Sequence, residues 1–200
     1  MKKNDVLCTS HEIQRCGWVT ADVLYQKYHD TEWGVPQYND DKLFEFLLLE
    51  GLQAGLSWIT ILKRREAYRE VLDGFSAAKI AVYDEEKMLK LMSDPRLIRN
   101  SLKMSAIVKN ARAFLQVQQE TGSFSTYMWQ FIGGSPRQNS WSSLDEVPTE
   151  TLESKEMSRV LKKKGFSFVG PTICYAYMQA VGMVNDHITH CYRHKELRKE

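Results

Sequence analysis

Across residues 43–62 the chain reads LFEFLLLEGLQAGLSWITIL, and in its first seven residues apolar side chains fall on every side of a helical wheel except at Glu45. Such a segment is a helix buried all round, not one with a solvent face. Glu50 follows directly, so a carboxylate starts inside the protein, where an unpaired charge is costly. Gly51 and Gly55 are expected to break the helix. Residues 53–56 then form a tight turn, Ser57 caps a second helix, and Trp58 stands on its first turn. An acid, a Gly-bounded loop and an aromatic face converge here, a pattern that fits both a satisfied buried glutamate at a helix end and a ligand site.

Elsewhere the apolar period is helical. Residues 76–92, 102–120 and 125–132 each read as an amphipathic helix with Gly, Ser or Asp-Pro at the boundaries. Nothing alternates with period two for long, residues 133–148 form the one long loop, and the fold class is all-α. A helix over residues 154–164 is followed by GFSFVG at 165–170 and by Pro171, which opens a helix through Met183. Two helices joined by a short turn with Gly165 and Gly170 at its ends, with Thr172 at the exposed start of the second, suit a DNA phosphate. Any helical hairpin uses Gly and Pro in this way, so plain packing remains open.

Residues 16–36, CGWVTADVLYQKYHDTEWGVP, are crowded with aromatics. Tyr25, Tyr28 and His29 fall one helical turn apart and share a face. A stripe of this kind is often core. However, Tyr and Trp carry polar ends that must be satisfied when buried, which makes Trp18, Tyr25, Tyr28 and Trp33 an inefficient plain core and favours a pocket.

Composition narrows the picture. Two hundred residues with 43% hydrophobic content support one sizeable core in one domain or two closely packed lobes. A net charge of +2 does not by itself indicate nucleic acid, although basic residues cluster at 63–65, 96–109, 162–164 and 193–199. The N-terminus lacks the apolar run of a secretory signal and no stretch approaches a membrane span, so the expected location is cytoplasmic. Cys8, Cys16, Cys174 and Cys191 are scattered, which favours reduced thiols. His187 and Cys191, at i and i+4, project from one face as metal ligands must, and Cys16 with His29 could supply another pair; ordinary core residues are the alternative.

RCGWV at 15–19, YHDTEWGVP at 28–36, LEGLQAGLSWITILKRRE at 49–66 and KKGFSFVGPTICYAYMQAVGMVNDH at 163–187 together resemble the 3-methyladenine DNA glycosylase I family of helix-hairpin-helix glycosylases. The resemblance runs from about Arg15 to Cys191, leaving residues 1–14 and 192–200 as tails. It implies excision of 3-methyladenine from alkylated duplex DNA by a monofunctional glycosylase, with the nucleotide flipped into an aromatic pocket and the free base released. On matching positions Glu50 and Tyr28 hydrogen-bond the base, Trp58 stacks on it, and Trp18, Tyr25 and Trp33 complete the walls. A methylated purine still attached to its sugar is cationic, so an electron-rich cage with one carboxylate suits it. Glu50 is thus the catalytic carboxylate expected, acting through positioning and electrostatics.

In the wider superfamily an aspartate after the hairpin assists water. Here Asn185 holds that register, and Asp186, one residue on, is a weaker second choice. The resemblance also implies that Cys16, His29, His187 and Cys191 bind one structural zinc. From their place on the Gly-bounded loop a few residues from Glu50 and Trp58, Gly55 and Leu56 are expected to contact DNA, Leu56 as a wedge, and Gly165, Gly170 and Thr172 are expected to do so through the hairpin. The expected state is a monomer. Competing readings are a non-enzymatic DNA-structure-binding module, against which Trp18, Tyr28, Glu50 and Trp58 argue, and a zinc hydrolase, which needs an open coordination position.

Overall fold

The computed structural model describes residues 13–198; Cys8 and His11 lie outside them. Eleven α-helices among these residues account for most of the ordered backbone, as expected for an all-α chain: α1 Val23–Thr31, α2 Asp40–Gln53, α3 Trp58–Leu62, α4 Arg65–Val71, α5 Ala77–Ile80, α6 Glu85–Ser93, α7 Ser101–Thr121, α8 Phe124–Trp129, α9 Leu152–Lys163, α10 Pro171–Ala180 and α11 Tyr192–Glu196. The long loop before α9 carries one extended pair, Arg137–Gln138, which runs parallel to Val184–Asn185. Two residues paired in this way are too short to leave a period-two signal.

The central helix is α2. Asn39 caps it by accepting from the Lys42 N–H, Asp40 and Asp41 lie in its first turn, and every residue from Leu43 to Leu52 is buried. Asp40 also accepts from the N–H groups of Phe124 and Ser125, so the first turn of α2 holds the start of α8. Helix α2 does not break at Gly51 as expected. It continues to Gln53, because Gly51 is small for a packing reason: a Cβ there would stand 3.3 Å from Phe168 Cβ. Gly55, at φ +75°, does turn the chain, and the Leu56 N–H returns to the Gln53 carbonyl.

The single helix expected over residues 76–92 is two. Asp84 accepts from the Lys87 N–H and restarts the helix as α6, while Arg112 Nε takes the carbonyl of Ala81 at the end of α5. Helix α10 ends at Ala180, short of Met183, because Gly182 adopts φ +71° and the Met183 N–H reaches back to Met178, a left-handed stop. A Cβ at Gly182 would lie 2.4 Å from Pro36 N and from Val35 C, so the segment after α1 passes directly over the end of α10. Of the expected C-terminal tail, residues 192–198 are instead packed on the fold: α11 buries His194, and Leu197 after it is 3% exposed.

Helices α9 and α10 are joined by residues 164–170. Thr151 and Ser154 form a capping box at the start of α9, Gly165 at φ +92° ends it, and Pro171 opens α10 after Gly170, which supplies no side-chain cap. The loop is clamped to α7 by Asn110, whose side chain accepts from the Ser167 N–H at 2.7 Å and donates to the Ser167 carbonyl at 3.0 Å. Phe168, at φ +56°, then packs against Gly51. The helical hairpin therefore bears directly on the helix that carries Glu50.

Candidate active site

Glu50 is 3% exposed, and its Oε2 has no hydrogen-bond partner. It lines a cavity of 180 Å³ together with Trp18, Tyr25, Tyr28, Trp33, Gln53, Trp58, Ala176 and Gln179. That is smaller than the ~300–1,000 Å³ of sites for drug-sized ligands and suits one small flat molecule. Every base-binding residue expected from sequence lines this one cavity. Gln53, Ala176 and Gln179 complete it.

Local sequence explains the assembly. Asp22 caps α1 by accepting from the Leu24 and Tyr25 N–H groups, which sets Tyr25 and Tyr28 on the inward face. Tyr28 meets Trp58 of α3 with ring centroids 5.2 Å apart. On the other side Trp18 packs on Tyr25 and on Trp33, each at 5.0 Å. Ser57 stands before α3 as expected, but its hydroxyl pairs with Thr60 Oγ1 rather than capping a backbone N–H.

Burial pushes the Glu50 carboxyl up to about 8, which favours its protonated form at neutral pH. Burial, reinforced by the nearby Glu50, raises the Tyr28 and Tyr25 hydroxyls, which stay protonated as donors. The buried Trp58 Nε1 also lacks a partner. A lone carboxyl oxygen and a lone indole N–H in one aromatic cavity, each lacking a bond ordinarily worth ~1–3 kcal/mol in a buried setting, leave polar capacity for a ligand.

A second hollow of 190 Å³ adjoins the first through Glu50, Gln53 and Ala176, and is lined further by Ala54, Gly55, Leu56, Thr172 and Ile173. Leu56 is 38% exposed. The turn after α2 and the start of α10 thus flank one opening, bringing Gly55, Leu56 and Thr172 together. Gly165 and Gly170 lie in the hairpin loop and line neither hollow.

Cys16, His29, His187 and Cys191 are all buried, and one ligand atom from each falls within 4.8 Å of the others. Cys191 Sγ lies 3.4 Å from His29 Nε2 and 3.5 Å from His187 Nδ1, and Cys16 Sγ lies 3.5 Å from His187 Nδ1. Tetrahedral bonds of ~2.0–2.3 Å give ligand separations of about 3.3–3.8 Å, so the donor set fits a single ion. Each imidazole is also held from behind, His29 Nδ1 by Asp30 at 2.8 Å and His187 Nε2 by the Trp33 carbonyl at 3.1 Å, as metal-binding imidazoles commonly are. Arg15 in turn grips Asp30 with two nitrogens. The neighbouring Cys16 and both imidazoles push the Cys191 thiol down, while the hydrogen bond to Cys191 and burial push Cys16 up. The cluster touches the cavity wall, since Trp33 lies 4.5 Å from the His187 ring and Trp18 5.2 Å from the His29 ring.

Asp186 is not poised as a base. It is 1% exposed and accepts from Asn139 Nδ2, Trp141 Nε1, Tyr175 Oη and Gln179 Nε2 at 2.6–2.8 Å, which occupies both oxygens. Asn185, at the superfamily register, donates to Gln138 and to the His194 carbonyl. Among the residues that sequence reasoning missed, Gln179 had a readable signal: it is a lone amide in an otherwise apolar stretch of α10, the same kind of cue that singled out Glu50.

The model of a family described as methyladenine glycosylase matches residues 18–194. DNA-3-methyladenine glycosylase 1 of Escherichia coli K12 is 49% identical over 179 residues, covering 90% of this chain and 96% of that protein. A crystal structure of 3-methyladenine DNA glycosylase I superposes with a TM-score of 0.88 at 50% identity, over 90% of this chain and 98% of the other. A variant of 3-methyladenine DNA glycosylase I in complex with 3-methyladenine gives a TM-score of 0.87 at 34% identity, over 89% and 96% of the two chains.

Proposed function

The chain belongs to the methyladenine glycosylase family, and from that premise we propose that it is a monofunctional base-excision repair enzyme that removes 3-methyladenine from alkylated duplex DNA. The observation that carries the reading is the Glu50 carboxyl, buried and unpartnered in an aromatic cavity the size of one base. In this scheme the damaged nucleotide leaves the stack and its base enters between Trp58 and the Trp18–Tyr25 side. Tyr28 and Glu50 hydrogen-bond its edge. The cation lowers the cost of ionising Glu50, and the rings add cation–π attraction that neutral adenine does not receive.

Chemistry then needs little acid catalysis. As the C1′–N9 bond breaks, its electron pair passes to a base that departs neutral. A water oxygen bonds to C1′ and its proton is lost to solvent, leaving an abasic site. Glu50 assists by charge complementarity to the oxocarbenium-like state, and positioning supplies the rest. With Asp186 committed to four donors, no second carboxylate takes part.

Around this centre, Leu56 fills the gap left by the extruded nucleotide, and the uncapped start of α10 at Gly170 and Thr172 takes a backbone phosphate in the manner of a helix-hairpin-helix, with Gly165 and Gly55 supplying its turns. Cys16, His29, His187 and Cys191 hold one zinc ion. Four protein ligands leave no position for water, which speaks against a zinc hydrolase and for a structural clip. A DNA-binding module without chemistry gives no use for an unpartnered buried acid. The protein works as a single-domain monomer in the cytoplasm; among the described residues no helix is long and apolar enough to cross a membrane. The test is incubation with methylated duplex DNA and chromatography of the soluble products. Free 3-methyladenine is expected, and its absence overturns the reading.

A further inference from the structure

Gln179 enters the cavity wall from α10 beside Glu50, and its side-chain nitrogen lies 2.8 Å from Asp186 Oδ2. The other groups around Asp186 are Tyr175 Oη at 2.7 Å on Oδ2, and Asn139 Nδ2 at 2.6 Å and Trp141 Nε1 at 2.8 Å on Oδ1. An indole N–H can only donate and a carboxylate can only accept. The Gln179 amide is therefore fixed with its NH2 toward Asp186. Its Oε1, for which no protein partner occurs among the described residues, is the end left for whatever fills the cavity.

We propose that Gln179, oriented by Asp186, is a specificity determinant that offers a fixed acceptor to the exocyclic amino group of a methylated adenine and disfavours a methylated guanine. The inference rests on the glycosylase reading. Adenine carries an amino donor at the ring position where guanine carries a carbonyl acceptor. A carboxyl such as Glu50 can meet either edge, donating when protonated and accepting when not, so it cannot by itself tell the two bases apart. An amide whose nitrogen is held by a buried carboxylate cannot turn over. Against guanine it leaves two acceptors facing each other, and a site built to pair one edge rejects an analogue that leaves its buried polar groups unpaired. Asp186 touches no base in this scheme and is a positioning residue.

Free 3-methyladenine and free 3-methylguanine can be titrated separately into the full-length protein, with intrinsic tryptophan fluorescence as the readout and thermal melting alongside. Wild type should prefer 3-methyladenine, and Gln179→Met, which keeps the length and removes the acceptor, should cut the ratio of the two affinities about tenfold. Asp186→Asn frees the amide to turn, so it should narrow the same ratio by strengthening 3-methylguanine. A packing role cannot produce that gain. Should Asp186→Asn fail to fold, Gln179→Met decides alone. An unchanged ratio in Gln179→Met, equal loss of both bases, or a wild type indifferent between them overturns the proposal. A wild-type protein that binds neither base and frees none from methylated DNA instead overturns the glycosylase reading.

Discussion

Glu45 and Glu50 lie on the same helix, five residues apart, and are 2% and 3% exposed, yet one is fully paired and the other has no ionic partner. Glu45 receives Arg65 Nε at 2.8 Å, Arg69 Nη2 at 2.5 Å and Lys42 Nζ at 3.1 Å, and Arg65 is held in turn by Glu32. These bonds hold the Glu45 carboxyl below its ordinary range against the opposing effect of burial. Around Glu50 burial acts alone. One acid is part of the scaffold, and the other, unpartnered in the cavity wall, is the one proposed to meet a ligand.

The contrast predicts opposite responses to substitution. The folded-state value for Glu50 is raised from 4.5 to about 8, so between those values the native protein binds a proton that the unfolded chain has released. The contribution of Glu50 to stability is then greatest below pH ~4.5 and falls as pH rises through the window, at ~1.4 kcal/mol for each pH unit. Glu50→Gln removes the penalty. Its melting temperature should exceed that of wild type at pH 8, at about 2–4 °C per kcal/mol, and the difference should close near pH 5. Single-turnover release of 3-methyladenine should fall in the same variant. A melting difference independent of pH would mean that Glu50 has a partner in solution.

Arg65→Met should behave in the reverse sense, because removing one member of a buried ionic group strands the charge left behind. A loss of about 3–5 kcal/mol in urea unfolding is expected. A change under ~1 kcal/mol would show that Arg69 and Lys42 suffice for Glu45.

Gly182 offers a test of how the pocket wall is seated. Its φ of +71° and the 2.4 Å approach of its missing Cβ to Pro36 N and Val35 C leave no space for a methyl group. Gly182→Ala should therefore destabilise by more than ~2 kcal/mol and loosen the segment that carries Trp33. Urea unfolding checks the first effect and tryptophan fluorescence the second.

How much of this was legible in the sequence depended on the range of the physics involved. The burial of α2 and the aromatic face of α1 followed from local period, because a helix carries its environment in its spacing. Glu50 and Trp58 stood out from the buried helix and its Gly-bounded turn, and Trp18 and Tyr28 from the crowding of aromatics with polar ends; motif resemblance added the role of each. By contrast, the continuation of α2 past Gly51 is decided by Phe168, more than a hundred positions away, and the stop of α10 by the chain at Val35 and Pro36. No local pattern reports such contacts. Gln179 gave a local cue as a lone amide in an apolar stretch, but the orientation that Asp186 imposes on it is a tertiary property. The ordered α11 was missed for a similar reason: Tyr192 within it and Leu197 just after it are the few apolar residues in a charged stretch.

Leu56 tests the DNA-facing side. Gly55 has nothing within 4 Å of where its Cβ would be, and Leu56 beside it is partly exposed over the hollow next to the base cavity. As a wedge it acts only on duplex DNA. Leu56→Ala should weaken binding to a duplex containing an abasic site about tenfold or more while affinity for free 3-methyladenine stays unchanged. Equal loss of both would indicate a collapsed pocket.

The four-residue cluster joins parts of the chain that are far apart in sequence. Cys16 meets His187 across 171 positions and His29 meets Cys191 across 162. In the chain-entropy view a link closing so long a loop can contribute several kcal/mol, although real links often give less. The gain here would extend to the cavity, because Trp18 and Trp33 stand edge-on to the His29 and His187 imidazoles while also forming its wall. Elemental analysis of the purified protein should give about one zinc per chain. Cys191→Ser should lower both zinc content and melting temperature, and free-base affinity should fall with the loss of order in the wall. A strong chelator should reproduce this in wild type and leave Cys191→Ser nearly unaffected. If the protein carries no metal, melts normally and binds 3-methyladenine with chelator present, the four side chains are core residues held by their own hydrogen bonds.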